Sequence, residues 1–365
     1  MGRNKSQRRS SKYFDSDDDT LSTSSTGALS DRSLVQEIED VESEDTALEG
    51  YLDSMYEKRG STRESGLKGL INALTSNVQL DFAEKSYETL LDQFVKSMKR
   101  GFPEVALAAQ ALGWLAVTVG AGEIAHKVLE DSISHFTRVS KIGSDATNHI
   151  MVLQALAIIT FVGGNDVEET EKSMDLLWNQ VLRTSKTEPA VMESAISAWT
   201  FLLTTLPVPR INAQFSEKYL PELSSLLDMD SRAVRISAGE AIAFIFETIN
   251  SRDQNGDDHL DSNCLDQENN NSLGSLSSLD KLQSRVLEQM KALSSEAGGK
   301  GASKKDLNNQ RSSFRDFLAS IEDGEGPETT VKLQNGFILN ISTWTPTIQI
   351  LVASCIIHCL LTTAS

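Results

Sequence analysis

Two stretches of this chain, "AAQALGWLAV" at residues 108–117 and "VLQALAIITF" at 152–161, share the tripeptide Gln-Ala-Leu inside an apolar run. A small residue followed by a large one recurs along the chain at spacings of 42, 44, 43 and 43 residues. The five pairs are Gly69-Leu70, Ala111-Leu112, Ala155-Leu156, Ala198-Trp199 and Ala241-Ile242. A period of about 40–47 residues is typical of HEAT and armadillo repeats. The sequence therefore predicts an all-α, armadillo/HEAT-like solenoid of about five two-helix repeats.

Each of these pairs lies in an apolar helical segment that follows an amphipathic one. The amphipathic segment before the third pair carries apolar residues at helical spacing, namely Ile124, Val128, Leu129, Ile133 and Phe136. The small residue allows its helix to approach a neighbouring helix closely. A plain helical bundle is the alternative architecture, but it would not need so constant a repeat.

The last repeat carries residues that HEAT units favour at the start of their second helix. These are Asp230, Val234 and Arg235, within "DSRAVRISAGEAIAFIF". We expect Arg235 to pair with an acid of a neighbouring repeat. In the alternative interpretation, Arg232 and Arg235 line a concave binding surface.

Helix ends and one hairpin are also marked by short signals. Three capping boxes predict helix starts: Ser61 with Glu64, Asp166 with Glu169, and Ser303 with Asp306. Glycines at 298 and 299 predict the end of one helix before the next begins at 303. The dipeptide Asn335-Gly336, between alternating residues, predicts a β-hairpin.

Composition divides the chain into five segments. Residues 1–45 are polar, with a charge of +5 over the first 14 residues followed by a strongly acidic stretch, and they are expected to be disordered. The armadillo-like repeats occupy 46–250, and 251–279 is a polar, acidic linker. Residues 280–345 form a helical extension with the hairpin, and 346–365 an apolar tail. The net charge of −18 lies mostly in the polar segments, where it favours solubility.

The N-terminal segment offers three candidate modification sites. Ser16 precedes three aspartates, and Ser11 follows two arginines, so both are candidate phosphosites. Gly2 with Ser6 matches the myristoylation pattern, although a solvated basic arm explains the same residues.

No pattern for catalysis, metal binding or a cofactor is present. The chain lacks a Walker loop, a G-x-S-x-G elbow, H-E-x-x-H and C-x-x-C, and its five histidines are scattered. Three cysteines cannot build a disulfide framework, which is typical of a reducing compartment. Trp114, Trp178 and Trp199 lie on apolar stripes and are expected to pack in the core. We therefore expect a protein without catalytic residues, metal ligands or cofactors.

Several long segments together resemble the interferon-related developmental regulator family, in its plant form. The segments are, in order, "DSDDD" (15–19), "YEKRGSTRE" (56–64), "LAIITFVGGNDVEETEKSM" (156–174), "SAWTFLLTT" (197–205), "RAVRISAGEAIAFIFE" (232–247) and "SEAGGKGASKKDLNNQRSSFRDFL" (295–318). The resemblance covers roughly residues 1–344. It implies a non-enzymatic regulator with an armadillo-like domain, located in the nucleus and cytoplasm.

Two kinds of partner follow from this resemblance. Family members act as transcriptional co-regulators that bind other proteins, and one relative binds ribosomes and represses translation. In this chain, Lys300, Lys304, Lys305, Arg311 and Arg315 give the segment 300–316 a charge of +3, and they are candidate contacts for rRNA or another polyanion. A solvated charged face is the alternative.

The C-terminal end departs from the family pattern. The family continues beyond "STW" into a long helix and a small basic domain, whereas this chain reads "TPTIQILVASCIIHCLLTTAS". We expect a splice or gene-model difference there. The apolar run 348–361 is shorter than the ~20 residues of a membrane span, so a membrane anchor is not expected. The sequence does not indicate the oligomeric state.

Overall fold

The chain is described here from a computed structural model. The structure describes residues 46–77, 79–139, 145–181, 187–254, 269–297, 303–332, 338–345 and 347–349. The predicted disordered segment 1–45, with Gly2, Ser11 and Ser16, lies outside these ranges, as do Lys300 and the three cysteines.

Twelve helices and one hairpin make up the described fold. A first helix, α1, covers residues 46–54. It is followed by α2 (Gly60–Ser76), α3 (Leu80–Ser97), α4 (Glu104–Val119), α5 (Glu123–Val139), α6 (Ala146–Gly163), α7 (Val167–Val181), α8 (Pro189–Leu203), α9 (Ala213–Leu226), α10 (Arg232–Gln254), α11 (Asn269–Ser295) and α12 (Lys304–Asp323). A short 3₁₀ helix, Val208–Arg210, precedes α9, and the strands β1 (Thr329–Lys332) and β2 (Ile338–Ile341) come last.

These helices confirm the predicted two-helix repeat. The five small-large pairs lie on α2, α4, α6, α8 and α10, and every large member of a pair is buried. Consecutive second helices pack directly on one another, from α2 through α4, α6, α8 and α10 to α12. The amphipathic first helices cover one side of this row. The protein is therefore an armadillo/HEAT-like α-solenoid.

The stacking continues beyond the predicted five repeats. Helix α11 packs on α9, and α12 packs on both α11 and α10, in the arrangement of an earlier helix pair. Phe314 and Phe317 of α12 lie against Gly239 of α10, where an added Cβ would come within 2.7 Å of the Phe317 ring. The extension predicted at 280–345 thus contains a sixth pair. Within the predicted polar linker, α10 continues to Gln254 and α11 begins at Asn269.

The core between first and second helices contains a cluster of aromatic rings. The Trp178 ring of α7 lies 4.8 Å from the Trp199 ring of α8, and the Tyr219 ring of α9 lies 5.0 Å from Trp199. All three residues are buried. Trp114 is buried as well, so the expectation that these tryptophans pack in the core is confirmed.

A buried ion pair joins the first two repeats. Arg63 of α2 contacts Glu104 of α4 through two hydrogen bonds, Nε to Oε1 at 3.0 Å and Nη2 to Oε2 at 2.8 Å. Arg63 also donates to the carbonyl oxygens of Glu57 and Lys58. Because both charges are buried and bidentately paired, loss of either partner would leave an uncompensated charge.

The predicted helix starts have different outcomes. Asp166 caps α7, because its Oδ1 accepts from the Glu169 N–H at 2.8 Å. The Ser61 cap is wrong, since α2 begins at Gly60 and its N-cap is Arg59. Ser303 does precede α12, but its side chain makes no capping hydrogen bond. Helix α12 is fixed by its packing on α10 and α11 rather than by a cap.

The hairpin and the apolar helix α6 complete the fold. The strands are antiparallel, with Thr329 opposite Ile341, and the predicted Asn335-Gly336 turn falls in the undescribed residues 333–337. Helix α6 is the one described helix that is long and apolar enough to cross a membrane. Its residues 151–160 are buried by α4, α5, α7 and α8, so it is the central core helix of the solenoid.

Close backbone approach at Gly163 gives a test of this packing. A Cβ at this position would come within 2.7 Å of the Ala125 carbonyl carbon in α5, and backbone cannot move aside as a side chain can. We expect Gly163→Ala to lower the free energy of unfolding by about 1–3 kcal/mol, measured by urea denaturation. Gly113→Ala is the matched control, since its Cβ would meet Ala155 atoms at an ordinary 3.8 Å. That variant should be neutral or gain up to about 1 kcal/mol from helix propensity. Equal losses in both variants would contradict the close packing of α5 and α6.

Candidate functional site

The second helices line the concave side of the solenoid. In a curved stack, the inner helices lie closer together than the outer ones. Here all consecutive second helices pack on one another, whereas consecutive first helices contact each other less extensively. The concave face is thus built from α2, α4, α6, α8, α10 and α12, and we take it as the candidate functional site.

The repeat register places three rows of side chains along this face. The central row precedes each small-large pair and contains Lys68, Gln110, Gln154, Ser197 and Glu240, of which Gln110 and Gln154 are buried. One turn earlier, the first row contains Glu64, Ala106, Ile150, Glu193 and Ile236. Two turns later, the last row contains Thr75, Val117, Phe161, Thr204 and Glu247. Residues seven apart share one face of a helix, so the central and last rows are parallel.

Contacts between neighbouring second helices show that residues of these rows lie close to residues of the next helix. The hydroxyl oxygens of Ser197 on α8 and Ser237 on α10 lie 3.3 Å apart. The ring of Phe161 lies 4.7 Å from that of Phe201, between α6 and α8, and Phe161 is 43% exposed. Val117 in the same row is 40% exposed. The last row therefore presents apolar side chains to solvent on α4 and α6.

Carboxylates dominate the part of the face formed by α8 and α10. Glu193 and Glu240 are partly buried, and neither has a hydrogen-bond or ion-pair partner among the described residues. Burial raises the pKa of Glu193, and it raises the pKa of Glu240 from 4.5 to about 7. Burial also raises the pKa of Glu247, although the Trp344 backbone N–H opposes that shift. Desolvation therefore favours the neutral forms of these acids, and no described cation pairs with Glu193 or Glu240.

A short C-terminal segment lies across the end of this face. Residues 344–345 and 347–349, called here the strap, are helical and begin at Trp344. The Trp344 backbone N–H lies 3.3 Å from both Glu247 carboxylate oxygens. The Trp344 indole N–H donates to Ser320 Oγ at 2.8 Å. Gln349 Nε2 donates to Thr204 Oγ1 of α8 at 3.1 Å, and Ile348 is fully buried. The strap therefore contacts the last row at α8 and α10, and Ser197 and Glu240 of the central row on the same helices are partly exposed.

The residues that resemble those of a HEAT unit, Asp230, Val234 and Arg235, differ in burial and in contacts. Arg235 Nη2 lies 3.2 Å from Glu296 Oε2 at the end of α11 and 2.6 Å from Gln310 Oε1 of α12. Its guanidinium thus joins the last two repeats, which is an intramolecular role. Val234 is buried, and Asp230 is exposed before the start of α10. Arg232 is partly buried at the first turn of α10.

The predicted polyanion contacts do not form one uniform patch. Arg311 is held by Glu296, whose carbonyl oxygen accepts from its Nε at 2.9 Å. Lys304, Lys305 and Arg315 are exposed on α12. Asp316, whose pKa is raised by burial, lies next to Arg315. Three of the five predicted cations are therefore exposed and not used in described ion pairs, and Lys300 lies outside the described residues.

Other parts of the described chain do not suggest a catalytic centre. No three His, Cys, Asp or Glu side chains within the described ranges lie close enough to hold a metal. A cleft of about 290 Å³ lies between α7 and α9. Its charged residues pair with one another, as in Arg210 with Glu171 at 3.4 Å and Lys218 with Asp175 at 3.8 Å. This cleft therefore has its charges satisfied internally, unlike the concave face.

Comparison with known proteins gives a family match. The sequence profile of the family described as interferon-related developmental regulator (IFRD) matches residues 18–322. Interferon-related developmental regulator 1 of Sus scrofa is 28% identical over 301 residues, which are 78% of this chain and 61% of that protein. Interferon-related developmental regulator 2 of Mus musculus is 30% identical over 310 residues, 81% of this chain and 65% of that protein. The resemblance in the sequence is thus confirmed, and the chain spans less than two thirds of these relatives.

Solved structures of repeat proteins are similar at lower identity. Computationally designed armadillo repeat proteins for modular peptide recognition are 17% identical, with a TM-score of 0.47 over 74% of this chain and 99% of that chain. An engineered protein is 15% identical, with a TM-score of 0.49 over 76% of this chain and 99% of that chain. Because both scores are below 0.5, the fold is assigned from the chain's own helix packing.

The buried acid of the central row predicts a pH dependence. Because the pKa of Glu240 rises from 4.5 to about 7 on folding, the folded chain binds more protons between those values, and stability falls as pH rises. We expect Glu240→Gln to raise the free energy of unfolding by about 2 kcal/mol at pH 8, and by about 1 kcal/mol or less at pH 5. Urea denaturation at both pH values measures this. The exposed control Glu222→Gln should change little at either pH, and the same gain for Glu240→Gln at pH 5 and 8 would contradict the shift.

Proposed function

The chain belongs to the interferon-related developmental regulator family, and from this we propose that it is a non-enzymatic regulatory scaffold that binds other proteins through its concave face. The observation that supports this most directly is the combination of exposed apolar residues and unpaired carboxylates on consecutive second helices. Extended concave surfaces of this kind are what repeat proteins use for binding. Exposed Phe161 and Val117 supply apolar contacts, since an exposed apolar patch rimmed by polar residues is typical of an interaction site.

In this proposal the partners belong to the machinery of transcription. The family resemblance implies transcriptional co-regulators located in the nucleus and cytoplasm. A co-regulator needs no reaction chemistry, only a surface that brings other proteins together. The three rows of the concave face provide such a surface, with one part apolar and one part acidic.

A site-specific cross-linker tests the proposed binding face. We expect a photoreactive benzoylphenylalanine at Phe161 or at Val117 to capture the same partner proteins in cells, because both positions are exposed in the last row. The same probe at Glu222 of α9 or Glu84 of α3 is the control, since both are exposed on first helices. Captured proteins are identified by mass spectrometry. Equal capture at all four positions, or no shared partner at the two concave positions, would contradict this function.

A second candidate is a ribosome-associated regulator of translation. The exposed Lys304, Lys305 and Arg315 on α12 favour it, because cationic side chains contact phosphate without reading sequence. These residues lie on the helix that closes the described stack. A complex of this kind would weaken steeply with salt.

Charge reversal separates this candidate from the first. If the basic segment binds ribosomes, Lys304→Glu with Lys305→Glu should reduce co-sedimentation with ribosomes in a sucrose gradient by about tenfold at low salt. The control pair Lys85→Glu and Lys172→Glu changes the net charge equally at exposed positions elsewhere. Co-sedimentation that falls equally in both variants, or that is absent in the unmodified chain, would exclude this role for the segment.

A further inference from the structure

The central row presents hydrogen-bond acceptors that have no described donor. Gln154 of α6 is 7% exposed, and its Oε1 has no hydrogen-bond partner in the part of the chain that the structure describes. It shares its helix face with exposed Phe161. On α8, the buried Ser194 Oγ also lacks a described partner. A buried amide oxygen without a donor costs about 1–3 kcal/mol, so rotation of the Gln154 side chain toward a ligand that donates a hydrogen bond would be favourable.

The neighbouring carboxylates also lack a described hydrogen-bond donor. Glu193 and Glu240 lie on α8 and α10, in the first and central rows, and no described cation pairs with either. In the repeat register, Gln154, Ser197 and Glu240 occupy equivalent positions on three consecutive helices. The unsatisfied oxygens on this part of the face can accept hydrogen bonds, and an adjacent cation would favour the charged forms of the two glutamates, whose pKa is raised by burial. A chain with cationic side chains and free backbone N–H groups can donate hydrogen bonds to all of these oxygens.

The strap already packs on this face as a short helical segment. The Trp344 backbone N–H is bound by the Glu247 carboxylate, and Gln349 reaches Thr204 on the next helix. The strap thus crosses from α10 to α8 along the last row, and its own residue Ile348 is buried. Glu240 and Ser197 of the central row lie on the same two helices as the strap contacts and are partly exposed. The last row thus already holds one segment of this chain, and the central row lies beside it on the same helices.

We propose that the central row of α6, α8 and α10 binds an extended segment of a partner protein that carries arginine or lysine side chains. Glu193 and Glu240 hold the cationic side chains, and Gln154 Oε1 accepts from a backbone N–H or a guanidinium. This inference rests on the proposed function, because it names the chemistry of the partner at the same concave face. Arginine suits the site best, since its several N–H donors satisfy two acceptors at once. Arg235 of α10 is engaged by Glu296 and Gln310, and Arg232 lies at the first turn of α10.

Helix spacing sets the length of a suitable probe. Packed helices lie about 8–10 Å apart, and an extended chain rises about 3.3 Å per residue. A peptide of about nine residues therefore spans the three helices. The probe is a fluorescein-labelled peptide of alternating alanine and arginine, and two matched peptides replace arginine with citrulline or with glutamate. Citrulline keeps the shape and most N–H groups of arginine but removes the charge.

Binding is measured by fluorescence anisotropy with the full chain at physiological salt. We expect the arginine peptide to bind, the citrulline peptide to bind about tenfold more weakly, and the glutamate peptide not to bind. The variant Glu193→Gln with Glu240→Gln should weaken arginine-peptide binding by about tenfold or more. Gln154→Met, which keeps the side-chain length, should weaken it about threefold to tenfold.

The charge-matched control is Glu84→Gln with Glu222→Gln, at exposed positions of α3 and α9. It removes the same two negative charges from a chain of net charge −18, so it reports general attraction to the acidic protein. Binding should stay within about twofold in this control. Equal weakening in both double variants would overturn the site, as would equal affinity for arginine and citrulline peptides or no binding of the arginine peptide at all.

Failure of this inference can be told apart from failure of the proposed function. If cross-linkers at Phe161 and Val117 capture shared partners but the arginine peptide does not bind, the concave face binds proteins of other chemistry. If neither experiment gives binding at the concave face, the proposed function fails as well. Circular dichroism of each variant checks that its helices remain formed.

Discussion

The structure depends on the close approach of consecutive second helices. Each of these helices carries a small residue at an equivalent position, from Gly69 through Ala111, Ala155 and Ala198 to Ala241. At Gly239 of α10, even one methyl group does not fit, because a Cβ would come within 2.7 Å of Phe317. Since protein interiors are packed to the density of organic crystals, such contacts leave little tolerance. The stacked second helices form one layer of the fold, and the amphipathic first helices pack against one side of it.

This constraint also explains how the solenoid acquires a binding face. Because the second helices pack side by side, one strip of each must face away from the first helices and toward the concave side. The residues that precede each small-large pair lie on this strip. Because they recur at the same position of each repeat, their side chains form a row across the second helices. The rows change in chemistry along the stack, from apolar residues on α4 and α6 to carboxylates on α8 and α10. A scaffold can therefore present different contacts to one extended partner.

Ionic groups in this fold divide into those that are satisfied and those that are not. Arg63 with Glu104 joins the first repeats, and Arg235 with Glu296 joins the last ones. Both pairs connect neighbouring helix pairs and so fix the stacking. Glu193 and Glu240 have no such partner among the described residues, although they are also desolvated. Evolution of a purely structural core would favour neutral residues there, so these acids point to a role in binding.

The sequence by itself determined the helical repeat, its period, the family and the positions of the small residues. These follow from local physics, since periodicity and residue size are visible in one dimension. The sequence also indicated that Arg235 pairs within the protein, but it did not identify Glu296 as the partner. Only the tertiary structure decided that α11 and α12 stack as a sixth pair, that Trp344 binds Glu247, and that Glu240 is desolvated. Each of these depends on contacts between residues far apart in the chain, and burial of a charge is a property of its neighbours rather than of its own position in the sequence.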